Sequence, residues 1–197
     1  MKSTLGLLLS IAFASVVSHA DDLRLGTPSY GGTGCPGGSV GIAVAPDQKS
    51  ISMLFDSYVV MAGGGQAFDR KVCNIAIPIH VPQGFSVSVV GIDYRGFTGL
   101  PSGGRAQLAV NYFLANNPNG FRTTKTFYGP TTSEYLKSDS LGVVAQVWTA
   151  CGANTILRAN TSMLVQTNSR SDQAMATVDS ADISAGLIYH LQWRRCN

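Results

Sequence analysis

Residues 73–81, "CNIAIPIHV", alternate apolar side chains with polar or small ones at a period of two. That period marks a strand with one face buried, because successive side chains leave a pleated backbone on opposite sides. Cys73, Ile75, Ile77, Ile79 and Val81 share one face, and Asn74, Ala76, Pro78 and His80 share the other. Cys73 therefore begins on the core side, as a buried disulfide requires. Pro78 has no N–H to give a neighbour, so this strand is expected at an edge or with a bulge.

Working outward, the same alternation recurs. In "TILRANTSMLVQT" (155–167), Leu157, Ala159, Met163 and Val165 oppose Arg158, Asn160 and Ser162. In "LIYHLQW" (187–193), Leu187, Tyr189, Leu191 and Trp193 oppose His190 and Gln192. Further strands are expected near 39–45, 50–60, 106–114 and 143–149. Gly, Pro, Asn and Asp clusters such as "VPQGF", "LPSGG", "NNPNG", "YGP" and "CGAN" punctuate them. No long helix is evident; "TSEYLKSDS" (132–140) reads as at most one short turn. Many short strands with such turns predict an all-β antiparallel sandwich, with a closed β-barrel as the alternative.

In "GFSVSVVGIDYRGFTG" (84–99), Phe85, Val87 and Val89 share one face, whereas Val90, Ile92 and Tyr94 share the next apolar set. The phase slips by one residue at Val89-Val90, which predicts a β-bulge that keeps the apolar set inward. Asp93 and Arg95 then point outward together, as a surface ion pair where a strand leaves its sheet. The functional reading of the same residues is a polar ligand-contact cluster of Asp93, Tyr94 and Arg95, since sites favour strand ends and loops.

The chain opens with Lys2, an apolar run from Leu5 to Val17 and the small-x-small triplet Ser18-His19-Ala20. This is the build of a secretory signal peptide at 1–20, too short in its apolar part to span a bilayer. The mature chain, 21–197, is expected to be a single domain without a membrane span, secreted or held in the cell envelope. Removing Lys2 lowers the formal charge from +3 to +2. Cations are scattered, so nucleic acid is not an expected partner.

All four cysteines, Cys35, Cys73, Cys151 and Cys196, lie in the exported part. An even count in an oxidising compartment predicts two disulfides, with three connectivities open by spacing. Cys35–Cys73 and Cys151–Cys196 are favoured, because each pair ties neighbouring segments. No CxxC spacing is present, so no metal or other cofactor is expected. "PSYGGTGCPGGS" lacks the Lys-Ser/Thr of a phosphate loop. "VDSADIS", with Asp179 and Asp182, supplies too few oxygens for a calcium loop and reads as a turn.

Catalytic signals are weak. His80 and His190 are the imidazoles of the mature chain; both alternate outward, and no nucleophile elbow accompanies them. The aspartates lie mostly in turn-like stretches rather than as a positioned pair. Aromatic side chains that present an apolar face and a polar edge suit sugar rings. Tyr128 and Tyr135 in the turn-rich "FYGPTTSEY" are the surface candidates, together with Trp148; Trp193 alternates with the core set. Asn160-Thr161-Ser162 is an N-glycosylation sequon on the polar face of its strand.

The segments "GTGCPGGSV", "RKVC", "DYRG", "WTACG" and "LQWRRC" occur in this order along nearly all of the mature chain. In them the chain resembles the secreted domain-of-unknown-function family 4360, found in bacteria and filamentous fungi. The resemblance implies a small exported protein with matching cysteine positions; it brings no activity and no catalytic residues. The functional expectation is a non-catalytic binding module for extracellular or envelope polysaccharide. An exported hydrolase using His80 or His190, and a structural or partner-binding surface protein, are the alternatives.

Overall fold

The computed structural model describes residues 24–44, 50–115, 117–140, 148–168, 172–178 and 187–196. The signal segment 1–20, residues 143–147 of the strand expected at 143–149, and Asp179 and Asp182 lie outside the described residues. For residues 187–193, including His190 and Trp193, the backbone alone is described.

The described residues form thirteen strands and no helix, in two sheets. Sheet A contains β1 (Arg24–Leu25), β2 (Ser29–Gly31), β6 (Phe68–His80), β8 (Arg105–Leu114), β9 (Asn117–Tyr128) and β11 (Thr155–Gln166). Its order is β1-β6-β11-β8-β9, with β2 also on β6. Sheet B contains β3 (Val40–Val44), β4 (Ser50–Phe55), β5 (Val59–Ala62), β7 (Phe85–Leu100), β10 (Thr131–Ser140), β12 (Ala174–Thr177) and β13 (Leu187–Arg195). Every pairing is antiparallel, and both sheets have open edges, so the fold is a sandwich and not a closed barrel. No helix among the described residues is long and apolar enough to cross a membrane.

The alternation of 73–81 appears as drawn from the sequence: Cys73, Ile75, Ile77, Ile79 and Val81 are all buried. Pro78 departs from expectation, because β6 has partners on both sides. Its missing N–H faces the interval between β1 and β2, where Gly26 donates to the Pro78 carbonyl over 2.8 Å. The break in the outer strand is what tolerates the proline. On β11, Leu157, Ala159, Met163 and Val165 are buried, and Thr161 is buried among them.

Sheet B is organised around β7. Its first half pairs with β13, and β12 continues along the same side at Thr98 and Gly99. The strand expected at 50–60 breaks at Asp56–Tyr58 into β4, which pairs with β13, and β5, which pairs with β12. The break lies where one partner gives way to the next. The predicted bulge is present: His190 opposes Gly91 and Leu191 opposes Val89, so Val90 is the extra residue. Below it Val87 is buried; above it Tyr94 is.

The short turn read at 132–140 is instead β10, paired with β7 from Thr131↔Leu100 to Ser140↔Gly91. Tertiary pairing overrides the local signal because Gly96 leaves room for an inward tyrosine. Tyr135, opposite Gly96, donates its hydroxyl to the Thr177 carbonyl (2.8 Å) and tilts against Phe127 at 4.6 Å.

A buried polar chain joins the two sheets. Tyr58, between β4 and β5, has no exposed surface, and its hydroxyl lies 3.0 Å from Thr161 Oγ1 on β11. Thr161 has the Cys73 carbonyl as an acceptor at 3.2 Å, and the Tyr58 hydroxyl has the Lys71 carbonyl as an acceptor at 3.3 Å. Cys73 is bonded to Cys35, and Cys151 to Cys196, with Cα separations of 5.4 and 6.1 Å. Both pairs are the favoured connectivity. Each closes a loop of about forty residues, for roughly 4 kcal/mol on the chain-entropy account. They place the folded chain outside the reducing cytoplasm.

Burial pushes the Tyr58 phenol up to about 12, against the lowering effects of Thr161, the Met163 backbone and Arg70. The folded value lies above the ordinary 10.0, so this stabilisation is complete below pH 10 and is lost as pH rises toward 12. The size of the loss is about 3 kcal/mol. Tyr58→Phe is expected to cost about 1 kcal/mol at neutral pH, from the lost hydrogen bond. Denaturant curves of the two proteins should then converge and cross between about pH 10 and 12, as the native tyrosine alone is forced to ionise. Parallel curves across that window would contradict the buried clasp.

A Cβ at Gly96 would meet the Thr177 carbonyl and lie 2.6 Å from the Tyr135 hydroxyl. Gly96→Ala is therefore expected to destabilise by about 1–3 kcal/mol, the range for overpacking. Gly41→Ala, where the nearest atom is 3.7 Å away, is the control for denaturant unfolding.

Candidate functional site

Sheet A turns its inner face to the core, and among the described residues its outer face is open, so the even-numbered residues of β6 and β11 face out. Register decides what they meet. Asn160 on β11 is opposite Asn74 on β6 and also opposite Asn111 on β8. Asn111 is in turn opposite Arg122 on β9. Three amides and a guanidinium thus form one row across four adjacent strands, a span of about 14 Å at ordinary strand spacing. The next row is Val72, Ser162, Ala109 and Thr124. The following row is Arg70, Leu164, Gln107 and Thr126.

Small side chains in the middle row leave a depression. It has a volume of about 310 Å³ and is lined by Arg70, Val72, Asn74, Ala109, Asn111, Arg122, Asn160 and Ser162, among others. Arg70 leans into it, donating from Nε to Ser162 Oγ over 2.7 Å. Two hydrogen bonds brace the far end of the face: Gln107 Nε2 to Thr126 Oγ1 at 3.3 Å, and Arg105 Nε to Gln166 Oε1 at 2.5 Å. The platform is a set of paired strands, so its side chains are positioned by the ladder rather than by loops.

The residues singled out in the sequence lie in three places. Tyr128 is on this outer face, opposite Arg105 and 71 % exposed. Tyr94 and Tyr135 belong to the interior: Tyr94 is fully buried with its hydroxyl 3.4 Å from Thr123 Oγ1, and Tyr135 serves the core contacts given above. Asp93 and Arg95 are half-buried on the outer side of sheet B, and Arg95 Nε is shielded with no hydrogen-bond partner among the described residues. Trp148 bridges to Ser88 at the opposite end of β7, and its ring is covered by the Arg194 guanidinium at 4.2 Å. The structure brings no two of the three tyrosines together with Trp148.

Asn160, singled out as a sequon, stands exposed at the centre of the amide row. Asn74, Asn111 and Arg122 were not singled out. The period-two pattern puts Asn74 and Asn160 on outward faces, but pairing among strands so far apart in the chain is invisible to local pattern. His80 is exposed at the end of β6, opposite Arg24. Among the described residues, no three His, Cys, Asp or Glu side chains gather as metal ligands.

A relative from Arthroderma benhamiae, described as an uncharacterized secreted protein, is 32% identical over 178 residues, covering 89% of this chain and 73% of the other. Among solved structures, the carbohydrate-binding module TmCBM61 in complex with beta-1,4-galactotriose matches over 90% of each chain, at 10% identity and a TM-score of 0.30. That score is too low for any inference about shared fold or ligand. The match of a family model over residues 21–196 is decisive: the chain belongs to the domain of unknown function family DUF4360.

Proposed function

We propose that this protein is a non-catalytic binding module for extracellular or envelope polysaccharide, and that the outer face of sheet A is its ligand surface. The observation that carries the reading is the row Asn74–Asn160–Asn111–Arg122 beside a depression floored by Val72 and Ala109. A sugar hydroxyl both donates and accepts, and a carboxamide answers both demands with one planar group. The C–H faces of a pyranose need apolar contact, which the Val72 and Ala109 floor supplies. Tyr128 offers a further ring at the end of the face. Because strands hold these groups, little side-chain and loop ordering is left for binding to pay.

A glycan attached at Asn160 would lie across this face, so the test uses protein prepared without it. Affinity electrophoresis in gels containing purified polysaccharides or solubilised wall fractions measures retardation. Asn74→Ala with Asn111→Ala is expected to weaken binding about tenfold or more, at roughly 1 kcal/mol per hydrogen-bonding group, with no change in thermal midpoint. Trp148→Ala is expected to leave binding unaltered. No retardation in any polysaccharide, or full retardation of the double variant, would contradict the proposal.

A further inference from the structure

The outer face of sheet A is also the basic side of a nearly balanced molecule. Arg70 on β6, Arg158 on β11, Arg105 on β8 and Arg122 on β9 all occupy outward positions. Among the described residues, no Asp or Glu stands at an outward position of these four strands. The described carboxylates are elsewhere. Asp69 takes an inward-parity position on β6 and accepts from the backbone N–H groups of Met61 and Arg70. Asp93, Glu134 and Asp139 are on strands of sheet B, and Asp56 and Asp172 are in connections. Segregation, not net charge, makes the field on this face.

We infer that the polysaccharide recognised by this face is acidic, a polymer carrying uronate carboxylates. The inference rests on the reading of sheet A as a polysaccharide surface and adds the sign of the ligand. Arg70 and Arg122 line the same depression at diagonal corners: Arg122 ends the amide row on β9, and Arg70 stands four residues before Asn74 on β6. Ser162 holds Arg70 by its Nε edge, leaving the Nη groups without a hydrogen-bond partner among the described residues; Arg122 has none there either. A guanidinium matches a planar carboxylate with two parallel N–H···O bonds. The Cα positions of the two arginines are about 13 Å apart along the strands and about 14 Å apart across them. A single sugar cannot reach both, so several residues of a charged chain are required. Rings do stand beside two of the four arginines, Phe113 opposite Arg158 and Tyr128 opposite Arg105, so single-stranded nucleic acid is the rival polyanion that the test has to separate.

The test uses the mature chain without an Asn160 glycan, against polygalacturonate, the same polymer methyl-esterified, amylose, and single-stranded DNA of equal charge. Polygalacturonate is expected to bind, about tenfold or more tighter than its ester, and to weaken as salt is raised. Galacturonic acid monomer should compete poorly. Arg70→Gln with Arg122→Gln should lower polygalacturonate affinity at least tenfold, and by more than it lowers any binding to the ester, with the thermal midpoint unchanged. Arg194→Gln, remote from this face, is the control. Equal binding of acid and ester, or binding of amylose alone, would overturn the acidic ligand while leaving the polysaccharide surface standing. Binding to DNA as tight as to polygalacturonate would also overturn it. Failure of every polysaccharide would remove both readings.

Discussion

A phenol and a threonine hydroxyl buried between two sheets must find hydrogen-bond partners inside the fold or sacrifice their solvation without return. Tyr58, Thr161 and the Cys73 carbonyl satisfy that requirement in a single chain from sheet B to sheet A. The Cys35–Cys73 bond anchors the same point to the loop after β2. Gly34, in that loop, packs so closely that a Cβ there would come within 2.5 Å of the Tyr58 ring. Polar clasp, covalent bond and ring contact converge on one layer of the core. With the sheets pinned there, the interior can be filled by ordinary aliphatic alternation.

The consequence for the surface runs through register. A strand that slipped by one residue would exchange its inward and outward sets. Thr161 pairs with Cys73 on one side and Val110 on the other, which locks β11 between β6 and β8. The residue before it, Asn160, is thereby held opposite Asn74 and Asn111. The clasp on the inner face and the amide row on the outer face are adjacent residues of the same strand. Precision at the surface is inherited from the interior.

Much of this was legible in the sequence. The alternation in 73–81, the slip at Val89-Val90 and the cysteine pairing each have a local cause that survives in the folded chain. Other features depend on partners distant in sequence. The residues of β9 after "NNPNG" suggest no strand by themselves, since the threonines there carry no apolar period. β10 resembled a helical turn until Gly96 gave Tyr135 a place to enter. The break at Asp56–Tyr58 exists because the neighbouring strand changes there. Thr161 interrupts an apolar face, and its buried role is visible only beside Tyr58. The candidate face itself is a product of four strands' mutual register, which no segment encodes alone. Trp148, exposed by alternation, is covered by an arginine from the far end of the chain.

The central claim is that ligand meets the amide row of sheet A. Side-chain NH₂ resonances of labelled protein, followed during titration with oligosaccharides cut from polygalacturonate, test it directly. The account predicts that the side-chain amide signals of Asn74, Asn111 and Asn160 and the guanidinium signal of Arg122 shift together, while the indole N–H of Trp148 and the backbone N–H signals of Phe97 and Leu136 on sheet B stay in place. Shifts confined to sheet B or to the Trp148–Arg194 pair, with the three asparagines unmoved, would contradict it.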